Sequence, residues 1–320
     1  MEAGMDIQKG MGHVVGIDVG GTKTMVCIAS ADGDVKLLEK WETSQHGKPE
    51  LFFEWLFDGL KSLLAKMDLT LDQISGVGIG FPGVISQGGK LSHAPALPWP
   101  EGDLLPYIRQ YYQGHVKLGN DVNMALLGEC WQGAAQGKRH VLLLTVGTGI
   151  GGAMLLNGML YEGAGGAAGE AGYAIVDLPA LNGKPLDGDA FGPLESVTSG
   201  TGIGALARAY YKDKAMSGSD SVGAPQVLQG AIAGDADALA IMEKPLQHMA
   251  AFIGSATSLL NPELVLLGGG VADSGEYYVK EIAERVPSFT PFHVDIRRAG
   301  LGNKAGAIGA AAAAARIFEQ

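Results

Sequence analysis

The stretch "VKLGNDVNMALLGE", residues 116 to 129, reads as a short apolar strand, a glycine, then Asn120 and Asp121 at the head of an amphipathic helix. A carboxylate there can serve as a helix cap, because Asp and Asn are favoured at that position and suit the positive end of the helix dipole. It can equally serve as a base that takes a proton from a hydroxyl. A capping box would want Glu or Gln three residues on, where Met124 and Asn123 stand, so the local residues leave both roles open. A second carboxylate, Asp18, precedes the turn Gly20-Gly21-Thr22, and beside bound phosphates it would hold magnesium through water. That turn and a second one, Gly147-Thr148-Gly149, lack the Cβ atoms that would keep backbone N–H groups from an anion, and each adds a Thr hydroxyl. Each turn alone could be only a tight hairpin, but two at matching places suit a polyphosphate. A strand ending in Gly268-Gly269-Gly270 lets backbone approach a flat ligand; a tight strand-to-helix turn is the plainer reading, and with two phosphate turns an adenosine site becomes economical.

"GTGIGG" at 147 to 152 satisfies the dinucleotide fingerprint G-x-G-x-x-G. That fingerprint needs a helix directly after the glycines, whereas here "AMLL" runs into Asn157-Gly158, a hairpin signal, so a dinucleotide site is excluded.

The elements that carry these residues repeat. "HVVGIDV", "KTMVCIAS" and "VKLLEKWE" form a three-strand meander around the first turn; "HVLLLTV", "IGGAMLL" and "MLYEG" form another around the second. Each is followed by helical sequence and a further buried strand, "ISGVGIGF" in the first half and "PELVLLGGG" in the second, which predicts two duplicated α/β domains. The boundary is expected near 120 to 125: residues 1–122 plus 302–320 as the first domain, with the Ala-rich last helix packing back through Gly306 and Gly309, and 123–301 as the second.

The chain of 320 residues is long enough for two cores, and its 50 glycines are far above ordinary usage. A net charge of -11 and the absence of dense basic clusters argue against a nucleic-acid partner. No stretch approaches the apolar length of a membrane span, and the first residues lack a signal-peptide pattern, so a cytoplasmic location with no membrane partner is expected. Cys27 and Cys130 sit in apolar-periodic stretches and read as core thiols.

Taken in order, "GIDVGGTKT", "GIGFPGVIS", "GNDVNMALLGE", "TVGTGIGGA", "GEAGY" and "LVLLGGG" resemble the ROK family of sugar kinases, within the actin-like ATPase superfamily, over roughly residues 14 to 318. The resemblance implies two duplicated ribonuclease H-like domains with an active-site cleft between them, and a homodimer. It implies transfer of the ATP γ-phosphoryl group to a hexose hydroxyl, glucose being the family default, with magnesium. Asp121 matches the catalytic aspartate, while Asn120, Glu170 and Glu195 match sugar contacts and Gly83, with Gly89-Lys90, matches the loop over the sugar. Gly20, Gly21, Thr22 and Lys23, with Gly147, Thr148, Gly149 and the glycines 268 to 270, match the nucleotide side.

The chain also departs from the family. Tyr173 stands where many members have a His that binds both sugar and a structural zinc, and "LNGKPLDGDAFGPLE" has none of the expected cysteines, so a Cys₃His zinc is excluded by inventory. Tyr173 offers a phenol hydroxyl or simply packs, which puts sugar specificity in doubt. Ala96 replaces a common Asn, and Trp99 nearby either shields the sugar or anchors its loop. Alternatives to a glucokinase are a non-catalytic sugar-sensing regulator, or a kinase for fructose, allose, an N-acetylhexosamine or a β-glucoside. A family repressor would need a DNA-binding domain, and about 13 residues before the first strand are too few for one.

Overall fold

The structure is a computed structural model that describes residues 12–44, 47–86, 88–94, 97, 99–177, 191–214 and 221–317. Ala96 and most of the 177–193 loop lie outside the described residues.

In chain order the elements are β1 (His13–Val19), β2 (Lys23–Ser30), β3 (Val35–Glu42), α1 (Pro49–Ala65), β4 (Ile74–Phe81), the short strands β5 (Val84–Ile85), β6 (Lys90–His93) and β7 (Gly102–Asp103), α2 (Leu105–Ile108), β8 (His115–Asn120) and α3 (Asp121–Gln132). The second series is β9 (Val141–Val146), β10 (Ile150–Leu156), β11 (Met159–Leu160), α4 (Glu195–Thr198), α5 (Gly200–Asp213), α6 (Ala224–Ile232), α7 (Ala236–Leu260), β12 (Leu264–Gly268), α8 (Gly269–Ala272), α9 (Glu276–Arg285) and β13 (Asp295–Arg298), followed by α10 (Ala305–Ala314).

Two compact units result: residues 1–136, 164–166 and 303–320 in the first, residues 137–163 and 167–302 in the second. Each is built on a five-stranded sheet, ordered β3-β2-β1-β4-β8 and β11-β10-β9-β12-β13, so the two sheets have the same topology. In both, the first three strands are antiparallel and the remaining pairings are parallel. The repeated meander of the sequence is thus a repeated half-sheet, although the third strand of the second copy shrinks to Met159–Leu160.

The boundary expected at residue 122 is corrected to 136, because it would cut through α3. That helix belongs to the first unit. Gly128 of α3 faces the Ala305 carbonyl and Gly309 of α10 faces the Met124 carbonyl so closely that no Cβ would fit at either place. At the far end of α3 the fully buried Glu129 takes the Ala134 N–H on its Oε2 at 2.8 Å, which turns the chain out of the helix before the second unit begins.

One face of the first sheet is covered by apolar side chains. Val15, Ile17, Val77 and Ile79 meet Phe52, Phe53, Leu56, Phe57, Leu60 and Leu64 of α1, whose spacing places them on one side of the helix. The other face works differently. Gly16 of β1 and Gly76 and Gly78 of β4 meet the Ala307, Ala314 and Ala310 carbonyls of α10, so helix backbone lies directly on sheet backbone. Ala-rich α10 is buried along its whole length, which explains why its sequence shows no polar face.

The second unit has its own core of Leu142, Leu144, Val265 and Leu267 against α7 and its neighbours. The helical sequence before β12 is α7, which spans 25 residues and runs through Pro245.

Candidate active site

In the first unit the reactive residues gather at the carboxyl ends of β1, β4 and β8. Asp18 pairs in register with Gly80 on β4, and Gly80 pairs with Gly119 on β8, one residue before Asn120. Since side chains alternate along a strand, Asp18 shares the face of Gly16 and points toward α10 rather than into the apolar core. Two glycines then bring the second carboxylate near: Gly80 has no side chain where the Asp121 Cα passes, 3.4 Å from where a Cβ would stand, and Gly306 of α10 leaves space for the Asp18 carboxylate, 2.5 Å from its own missing Cβ.

The electrostatics follow from this crowding. Asp18 is half-buried, and desolvation, reinforced by the charge of Asp121, pushes its carboxyl up from 3.8 to about 7. Two carboxylates held together in this way favour a cation between or beside them. Magnesium, which ordinarily takes one or two protein carboxylates and completes its shell with phosphate and water, suits Asp18 there. Among the described residues no group of three or more His, Cys, Asp or Glu side chains could hold a metal by itself.

The cap-or-base question at α3 has a structural answer on its first half. Asn120 is the cap: its side-chain oxygen accepts from the Val122 N–H at 2.8 Å and the Asn123 N–H at 3.0 Å, and its amide donates to the Gly83 carbonyl at 3.0 Å. Gly83 sits at φ +126°, a conformation that favours glycine, so this tether fixes the loop that leaves β4. Asp121 stands one residue inside the helix, half-buried, with Oδ1 accepting the Val122 N–H at 2.9 Å. Helix geometry therefore does not require a carboxylate at residue 121.

Within the first turn the Gly20 N–H is taken by the Lys23 carbonyl at 2.9 Å, and Gly21 and Thr22 form its exposed tip. Lys23, expected on the nucleotide side, is ion-paired with Glu42, its register partner on β3. Trp99, open between shielding sugar and anchoring a loop, packs on Phe52, Phe53 and Phe81 with ring centroids 4.7 to 6.0 Å apart, so it ties the loop to the core.

The second unit assembles the remaining predicted residues around β9 and β10. Gly269, at φ +83°, crosses Val146 at the end of β9, with under 3 Å between its missing Cβ and that backbone. This close crossing brings the Gly268–Gly270 strand end beside the Gly147-Thr148-Gly149 turn, which Val146 immediately precedes. Gly169, at φ +98°, lies flat on Gly152 of β10, each barring a side chain on the other. Glu170 follows, exposed, at the start of the single 3-10 turn Ala171–Tyr173, and Tyr173 ends that turn half-buried. Glu195 opens α4, and its Oε2 accepts the Ile150 N–H at 2.6 Å. Sequence reasoning had no means of pairing Glu195 with that turn, 45 residues away. The sequence around Gly306 indicates only close packing, because its proximity to Asp18 depends on how α10 returns.

An α/β protein with a twice-used five-stranded sheet, paired acidic groups at the strand ends of one unit and a glycine turn in each unit belongs to a narrow structural class, and comparison with known proteins agrees. The ROK family profile matches residues 14–317, and the chain belongs to that family. It is 33% identical over 309 residues to a glucokinase of Halalkalibacterium halodurans, covering 92% of each chain, and 30% identical over 318 residues to a glucokinase of Thermotoga maritima, covering 93% of this chain and 96% of the other. Among solved structures it is similar to a ROK family glucokinase from Streptomyces griseus in complex with glucose and AMPPNP, with a TM-score of 0.75 at 26% identity over 95% of this chain and 99% of that one.

Proposed function

We propose that the chain is an ATP-dependent sugar kinase that moves the γ-phosphoryl group of ATP onto a hexose hydroxyl, with Asp121 as the base. The observation that carries this reading is the pair Asp18 and Asp121, two acidic groups brought together by Gly80 and Gly306 while Asn120 takes over the capping of α3. A carboxylate that is not needed for the cap can orient a sugar hydroxyl and accept its proton as phosphate transfers.

Asn120 holds both the helix start and the Gly83 loop, so a sugar seated there meets a fixed wall. Glu170, Glu195 and Tyr173 are assigned to the sugar, and the two glycine turns, with Lys23 and the glycines 268 to 270, to the nucleotide. Asp18 would hold magnesium, which neutralises phosphate charge when bound. The two glucokinase relatives favour glucose as substrate. Tyr173, in place of the family His, directs the test toward other sugars as well.

Coupled ATP-consumption assays across glucose, fructose, mannose, allose, N-acetylglucosamine, N-acetylmannosamine and β-glucosides test the proposal. Turnover with at least one of them, lost in Asp121→Asn, is expected. Silence on every sugar would replace the kinase with a sugar-sensing regulator.

A further inference from the structure

Glu195 entered as a sugar contact, yet its carboxylate is already engaged elsewhere. Its Oε2 accepts the N–H of Ile150, the residue that follows the Gly147-Thr148-Gly149 turn, at 2.6 Å. The reason lies in the sheet. Ile150 stands opposite Val146 on β9, and on its other side β11 pairs with Leu155 and Leu156, so among the described residues no strand covers that edge of β10 at Ile150. A backbone donor without a strand partner needs another acceptor, and the carboxylate supplies one with the added strength of its charge.

The same segment grips the other arm of the turn. The Gly200 N–H, at the start of α5, donates to the Gly147 carbonyl at 2.8 Å, and the Ser199 N–H returns to the Glu195 carbonyl at 3.1 Å. Residues 195 to 200 therefore hold the turn on both sides, at Gly147 and at Ile150. The fit is close: a Cβ on Gly149 would lie 2.5 Å from Glu195 Oε2, and one on Gly172 would lie 3.2 Å from the Glu195 Cβ. The glycine at 149 is needed so that this carboxylate can reach the backbone.

We propose that Glu195 is a positioning residue for the Gly147–Gly149 turn, fixing it in the shape that receives the phosphates of the nucleotide. This rests on the kinase reading, in which that turn faces nucleotide and Glu195 also touches sugar. With one carboxylate oxygen on the Ile150 N–H, the other accepts a sugar hydroxyl, so one side chain joins the sugar subsite to the phosphate turn. Sugar occupancy and nucleotide affinity are then linked through Glu195.

The test measures binding of magnesium–AMPPNP by calorimetry in the absence of any sugar, for the wild type, Glu195→Ala and Glu195→Gln. Loss of a charged hydrogen bond that shapes the turn should weaken binding about tenfold in Glu195→Ala. Glu195→Gln keeps an oxygen acceptor for the Ile150 N–H and should stay within about threefold of the wild type, a rescue that a contact made only to sugar would not produce. Hydrogen exchange at the Ile150 amide should quicken in the Ala variant and stay slow in the Gln variant. Wild-type nucleotide affinity in Glu195→Ala, with its fold confirmed by circular dichroism, would overturn the inference. Failure of the wild type itself to bind nucleotide would instead overturn the kinase reading, and the positioning role with it.

Discussion

The charge on Asp18 should cost the ligand-free protein stability, and Asp18→Asn should recover it. The side chains have the same shape, so the variant keeps the clearance that Gly306 provides and removes only the charge. The folded carboxyl is raised from 3.8 to about 7 by burial and by Asp121. Between about pH 4 and pH 7 the folded state therefore holds a proton that the unfolded chain has released. Stability falls as pH rises through that window, and the loss is complete above it. At 1.36 kcal/mol for each tenfold step, the difference amounts to at most about 4 kcal/mol, reduced to the extent that water reaches a half-buried side chain. For a chain of this size that is a rise of several degrees in Tm, on the order of 2 °C per kcal/mol. Thermal unfolding from pH 4.5 to 8.5, without nucleotide or magnesium, should show the two proteins converging at the acid end and Asp18→Asn melting higher at the alkaline end. The same variant should lose kinase activity, since the charge that destabilises the empty site is the one that would hold the cation. A Tm difference that stays flat with pH, or that favours the wild type at pH 8, would refute the argument that Asp18 is an unfavourably placed charge.

Asp121→Asn should abolish turnover while leaving the unfolding free energy within about 1 kcal/mol of the wild type, as read by chemical denaturation, because the α3 cap is supplied by Asn120. Asn120→Ala should do the reverse in stability, costing about 1 kcal/mol or more through the lost cap, together with the bond to the Gly83 carbonyl, as read by chemical denaturation. Gly309→Ala should cost several kcal/mol or fail to fold, since its Cβ would lie 1.6 Å from the Met124 carbonyl, whereas Gly270→Ala meets nothing within 4 Å and should retain its Tm.

What the sequence showed plainly was whatever is local. The twin meanders are legible because alternation, tight glycine turns and hairpin signals all act within a few residues, and they correctly predict two sheets of like topology. Asp18, Asn120 and Asp121 are legible as strand-end and helix-start residues for the same reason. The division of roles between Asn120 and Asp121 was not, because either could cap, and it takes the three-dimensional geometry to show both on the Val122 N–H and Asn120 on the Asn123 N–H as well. The boundary at 122 was misplaced because α3 has an amphipathic pattern that does not say which sheet it lies on. The answer lies with α10, more than 170 residues later, whose Gly309 accepts the α3 backbone. The same return of α10 places Gly306 against Asp18, so a residue near the end of the chain sets the room available to a carboxylate near its beginning. A glycine in an alanine-rich helix carries no chemistry of its own, and its spacing suggests only close packing. Its consequence appears once the neighbour is known to be a charged group rather than another methyl. For this reason Gly306→Ala should disturb Asp18 more than the fold: the atoms nearest the added methyl all belong to the Asp18 carboxylate, whose carbon would stand 2.5 Å away. Raised magnesium–ATP KM with little change in the sugar KM is the outcome that this placement requires, and equal loss in both would mean that the substitution acts on packing alone.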